Sequence, residues 1–217
     1  MDDADLLTAD LLTLVRWLSP AFPTGAYAYS HGLEAAIAAG DVTDGATAEA
    51  WVRQVLTRGA GLSDGAILAA ALAPGADHAA LSDLALALAA GRERAVETVE
   101  QGRAFAAAVA ASTGRPHPPE PLPVAVGRAA AGLDLPPERI VALWLQAFAS
   151  ALVSAAVRFV PLGQGEGQRI LTALAPDILT AARRAVATPP GDVTTCVPAA
   201  DLAALSHETL DVRIYRT

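Results

Sequence analysis

The 217-residue chain contains no lysine; its fifteen basic residues are all arginine, set against 23 aspartates and glutamates. That absence removes the phosphate-loop lysine, Schiff-base chemistry and a lysine general base. A net charge of −8 without a basic cluster argues against nucleic acid and anionic membrane surfaces as partners. The single cysteine, Cys196, excludes an internal disulfide framework and a cysteine-rich zinc site, and reads as a small apolar filler. No run of alternating polarity is long enough for a convincing strand, and nothing repeats at a fixed period. The start, Met1-Asp2-Asp3-Ala4-Asp5, is acidic where a secretory signal would be basic, so the expected compartment is the cytoplasm.

What the chain has in excess is alanine and leucine, within a hydrophobic fraction of 53%. Both lose little side-chain entropy in a helix. The expectation is an all-α fold: one compact domain over residues 1–217, of about eight to ten helices, with 188–217 a mostly irregular tail. Glycine and proline divide the helices. They are expected over Leu6–Trp17, Tyr27–Ala39 and from Asp44 or Thr47 to Arg58, then in a short helix opened by Ser63 or Asp64. A long helix capped by Asp77 should reach Ala111, bent near Gly91 or Gly102. After the proline loop Thr113–Pro121 come Val124–Ala131, an apolar helix led by Pro136-Pro137, Gln164–Leu174, and a helix from Pro176 to Ala187. A last short helix is expected near Ala199–Leu205. The uncharged run Ile140–Val157 is near the lower length limit of about 17–25 residues for a membrane span. It is alanine-rich and carries Gln146, Ser150 and Ser154, which suits a central helix enclosed by others.

Candidate chemistry is sparse. His31 and Glu34 stand one helical turn apart, but two ligands do not make a metal site. His207-Glu208-Thr209-Leu210-Asp211 has the outline of a zinc-protease motif without a stable helix to carry it. Gly163-Gln164-Gly165-Glu166-Gly167 lacks the lysine of a phosphate loop and places a carboxylate where phosphate would lie. Two segments stand out. Trp17–Glu34 gathers Trp17, Phe22, Tyr27 and Tyr29 around helix-breaking Pro20, Pro23 and Gly25, as a pinned loop or a recognition surface. The ending Arg213-Ile214-Tyr215-Arg216-Thr217 alternates arginine with apolar residues and suits docking on an acidic, apolar surface.

These segments carry a resemblance to the urease accessory protein UreF family. It rests on Ser19-Pro20-Ala21-Phe22-Pro23-Thr24-Gly25-Ala26-Tyr27-Ala28-Tyr29-Ser30-His31-Gly32-Leu33-Glu34, on Glu100-Gln101-Gly102-Arg103-Ala104-Phe105, on Pro161-Leu162-Gly163-Gln164-Gly165-Glu166-Gly167-Gln168, and on the ending. The resemblance implies an all-helical homodimer with no catalytic residues and no cofactor of its own. It implies assembly with a bridging protein, UreD or UreH, and with the GTPase UreG, to deliver nickel to apo-urease. Nickel and GTP would belong to the partners' chemistry. An alternative role is direct action on the partner's GTP hydrolysis, with Arg16, Arg103 or Arg169 as candidates. Tyr27, Tyr29, Ser30, His31 and Glu34 would form a partner-binding or dimer-supporting surface. Arg213, Tyr215 and Arg216 would belong to a tail that orders against the bridging protein. Gln164 and Gln168, one turn apart, could line an internal polar path or cap neighbouring helices, and the structural role is the expectation.

Overall fold

The computed structural model describes residues 3–217. Among them there are ten α-helices and no strand: α1 (Asp3–Leu18), α2 (Leu33–Ala39), α3 (Gly45–Arg58), α4 (Ala60–Ala71), α5 (His78–Ala87), α6 (Arg92–Thr113), α7 (Leu122–Ala130), α8 (Pro137–Phe159), α9 (Gln164–Ala187) and α10 (Pro198–His207). Short 3-10 turns occupy Ala26–Ala28 and Pro190–Asp192.

The apolar helix is the axis of the fold. α8 packs against α9, α3 and α4, and against α1 and α2 more lightly. Its buried stripe, Ile140, Val141, Trp144, Leu145, Ala149, Leu152, Val153 and Ala156, recurs at helical spacing. On its other side Gln146 donates to Ser150 Oγ at 3.2 Å, and Ser154 is exposed. By length and composition α8 is the one described helix that passes for a membrane span, and half of its apolar window is buried inside the fold, where it packs against five other helices.

The expected helix boundaries change in three places. The long one from Asp77 is two: Asp77 caps α5 by accepting Ala80 N–H at 3.0 Å, and Gly91, at φ 98°, separates α5 from α6. α9 runs unbroken through Pro176 because its buried stripe, Ile170, Leu174, Ile178, Ala181, Ala182 and Ala185, keeps one period on both sides of the proline. Packing of that face outweighs the single missing N–H. The helix expected over Tyr27–Ala39 begins only at Leu33, because His31 (φ 53°) and Gly32 (φ 74°) are both left-handed. Ser63 lies inside α4, which already starts after Gly59. Cys196 is exposed and fills no core space.

Gly32 also sets a close approach between the start of α2 and α10: a Cβ there would lie 2.6 Å from Ala204 N. Both its φ and its contact exclude a side chain. Gly32→Ala is therefore expected to lower stability by about 1–3 kcal/mol, measured by urea unfolding. An unchanged midpoint would contradict this packing.

Candidate functional site

The residues singled out near the two ends of the sequence meet around the N-terminal half of α6. The left-handed pair His31-Gly32 turns the chain so that Ser30, His31 and the first turn of α2 face α6 and the tail beyond α10. Main-chain bonds join loop and tail: Arg216 N–H donates to Ala28 O at 2.8 Å and Ser30 N–H to Thr217 O at 3.0 Å. The Ser30 hydroxyl also donates to Thr217 O.

Glu34 is the anchor of the tail. Its Oε1 accepts Ile214 N–H and its Oε2 accepts Tyr215 N–H, each at 2.9 Å. His207, fully buried, places Nε2 3.1 Å from Glu34 and Nδ1 2.7 Å from Glu93. The two ring nitrogens thus bridge the two carboxylates. Glu93 in turn pairs with Arg213 at 2.5 Å. Burial opposes the charge of Glu34, but the Tyr215 and Ile214 amides and His207 outweigh it and hold the carboxyl below its usual range. Glu208 supplies what Gly91 cannot: its carboxylate accepts Arg92 N–H at 2.7 Å and Glu93 N–H at 3.2 Å, capping α6 from just beyond the end of α10.

A second cluster lies one turn along α6. Glu97 contacts His31 Nε2 at 3.0 Å and Arg94 at 2.5 Å, and accepts hydrogen bonds from Gln101 at 2.9 Å and Thr217 at 3.0 Å. Burial pushes against its charge, yet Arg94 and His31 bring its carboxyl down to about 2. Burial, then Arg94, push the His31 ring below its ordinary value, with Glu97 offsetting only part. Asp64 on α4 has the weaker position. Its one charged partner within 4 Å, among the described residues, is Arg94 at 3.6 Å, and burial raises its carboxyl to about 6. At the outer edge Tyr29 OH donates to Glu100 at 2.8 Å, and Arg216 pairs with Glu100 at 2.7 Å while covering the Tyr29 ring at 5.6 Å. Burial and the Glu100 bond both raise the Tyr29 hydroxyl above its ordinary value.

The eight residues expected to bind partners thus divide by exposure. Tyr29, Ser30, Glu34 and Tyr215 are buried, His31 is largely so, and Tyr27, Arg213 and Arg216 are exposed. His31 and Glu34 turn to different partners, Glu97 and His207. Gln164 and Gln168 are exposed, so neither lines an internal path. Sequence reading missed Glu93, Arg94 and Glu97; their signal was charge at helical spacing on the element that also bears Glu100-Gln101. It also set His207-Glu208 aside, and these two hold the tail and cap α6. Among the described residues no group of three His, Cys, Asp or Glu side chains is placed to hold a metal ion. Beside the second cluster opens a cavity of about 210 Å³, with His31, Asp64, Arg94 and Glu97 on its wall.

Comparison with known proteins places these features in context. The UreF family profile matches residues 42–175. The urease accessory protein UreF of Cereibacter sphaeroides (strain ATCC 17023) is 58% identical over 211 residues, covering 97% of this chain and 100% of the relative. That of Paracoccus denitrificans (strain Pd 1222) is 53% identical over 206 residues, 95% of each chain. That of Jannaschia sp. (strain CCS1) is 50% identical over 210 residues, 97% of this chain and 96% of the relative.

The Glu97 cluster carries an acid-dependence. Its carboxyl is lowered from 4.5 to about 2 on folding, so its contribution is complete above pH 4.5 and lost as pH falls through about 2. Glu97→Gln is expected to lower the melting temperature at neutral pH and to flatten the loss of stability below pH 4.5. Thermal melts across that range check it; a variant with the wild-type acid limb would refute the assignment.

Proposed function

Because the chain belongs to the urease accessory protein UreF family, we propose that it is a non-catalytic scaffold for nickel delivery to apo-urease. In this reading it assembles with a UreD/UreH-type bridging protein and a UreG-type GTPase, and GTP and nickel are handled by those partners. The observation that carries the reading is the tail's presentation. Val212 and Ile214 are 80% and 71% exposed, with Arg213 and Arg216 beside them, on a segment whose backbone is held by Glu34 and Ser30. Apolar side chains between guanidinium groups, already ordered, form a surface that loses little entropy on docking.

The partner-binding residues then have two roles. Tyr27, Arg213 and Arg216 touch a partner. Tyr29, Ser30, His31, Glu34 and Tyr215 position them. The exposed Leu12 and Val15 on α1, at 65% and 48%, support self-association into a homodimer, because they lie one helical turn apart on the outer side of a lightly packed helix. The cytoplasm is the compartment in which such an assembly would work. Direct action on GTP hydrolysis has less support: Arg169 is held by Glu166 and Glu49, and nothing distinguishes exposed Arg16 or Arg103 as a supplied cation.

Urease nickel content in cells lacking this gene tests the reading. Re-expression of the full chain is expected to restore loading, whereas a chain ending before Arg213, or one carrying Arg213→Ala with Arg216→Ala, restores little. Full loading without the gene would refute the role; full loading by both variants would remove the tail from it. A GTP turnover assay with the partner GTPase should show no rate change at saturating chain.

A further inference from the structure

The aromatic residues of this chain are few and are not scattered. Of ten large aromatics, seven line the cavity of about 210 Å³ beside the second cluster. Trp17, Phe105, Trp144 and Phe148 contribute to its walls, as do all three tyrosines. The walls are braced by ring contacts: Trp17 lies edge-on to Phe105 at 6.0 Å, and His31 edge-on to Phe148 at 4.8 Å. At about 210 Å³ the space is well above the ~10–15 Å³ that admits one water.

The charges on its wall do not balance locally. Arg94 and Glu97 form a 2.5 Å pair and cancel. Burial and Arg94 disfavour the charged form of His31. Asp64 remains, with a single 3.6 Å contact to a guanidinium already committed to Glu97. The one further formal charge on the lining is Arg158 of α8, which is exposed and therefore screened by solvent. A neutral apolar occupant would leave two carboxylates, Asp64 and Glu97, sharing the single guanidinium of Arg94, and an anion would be repelled by both. A cation with an apolar stem meets both demands: carboxylates for its head and aromatic side chains among the walls for its stem.

We propose that this cavity is a binding site for a small organic cation, an alkylammonium or alkylguanidinium group, with Asp64 as its counter-ion and the aromatic walls as its cage. The site shares Tyr27, Tyr29, His31 and Tyr215 with the proposed partner surface, but its occupation needs no partner protein. Binding weakens on acidification, because protonation of Asp64 removes the counter-ion.

Calorimetric titration of the full chain with butylammonium and butylguanidinium, with butanol and butyrate as controls, decides the matter. Saturable binding of both cations is expected at about pH 8, tighter than either control by about tenfold or more, and falling toward about pH 5. Asp64→Asn should lose at least about tenfold in affinity for the cations while leaving butanol unaffected. Phe148→Leu, which keeps an apolar wall but removes a π face, should weaken the cations selectively. Thermal melts establish that both variants are folded. Absence of saturable cation binding to the wild-type chain, equal binding of butanol, or unchanged affinity in folded Asp64→Asn would each overturn the proposal. The wild-type comparison of cations with controls at two pH values decides it even where a variant fails to fold.

Discussion

One carboxylate accepting two consecutive backbone amides is the constraint around which the rest of this molecule's surface is arranged. Glu34, at the start of α2, takes the N–H groups of Ile214 and Tyr215 and the ring of His207. Those bonds decide where the last residues lie, and so where Val212, Ile214 and the two tail guanidinium groups point. They also explain the unusual backbone before α2. His31 and Gly32 adopt left-handed conformations that end one short turn and start a helix in a new direction. Without that turn Glu34 would not face α10 and the tail.

The network around this anchor is more polar and more buried than stability alone favours. Taking charges from water costs several kcal/mol per ion, and paired charges often do no better than apolar packing of the same volume. Here the core provides the stability: α8, α9, α3 and α4 share a continuous buried apolar cluster. The ionic groups provide geometry. Each of Glu34, Glu93 and Glu97 bridges elements far apart in sequence, and Glu208 caps a helix that its own N-terminus leaves open. This division holds the loop before α2 and the tail in fixed register on α6.

Much of the fold was legible in composition and punctuation. The apolar helix, the proline loop, the Asp44 and Asp77 caps and the final short helix follow from local rules that tertiary packing left intact. The errors fall where packing overrules such rules. Pro176 does not end α9, because its buried stripe is continuous. The break at His31-Gly32 was hidden because nothing local marks a non-glycine residue for positive φ when its reward is a set of contacts more than 170 residues away. The site was half legible. Tyr29, Ser30, Glu34 and Tyr215 were found, but as surface groups, since burial of a polar residue depends on partners that sequence spacing does not reveal. Arg94 and Glu97 were missed for the same reason: an Arg and a Glu three apart on a helix read as a solvated pair.

The central claim is that Glu34 holds the tail in its presented conformation, and amide hydrogen exchange resolved at Ile214 and Tyr215 tests it most directly. The account predicts protection of both amides in the wild-type chain. It predicts selective loss of that protection in Glu34→Gln, with the amides of α8 and α9 unchanged. Equal protection at Ile214 and Tyr215 in the variant, or none in the wild-type chain, would contradict it.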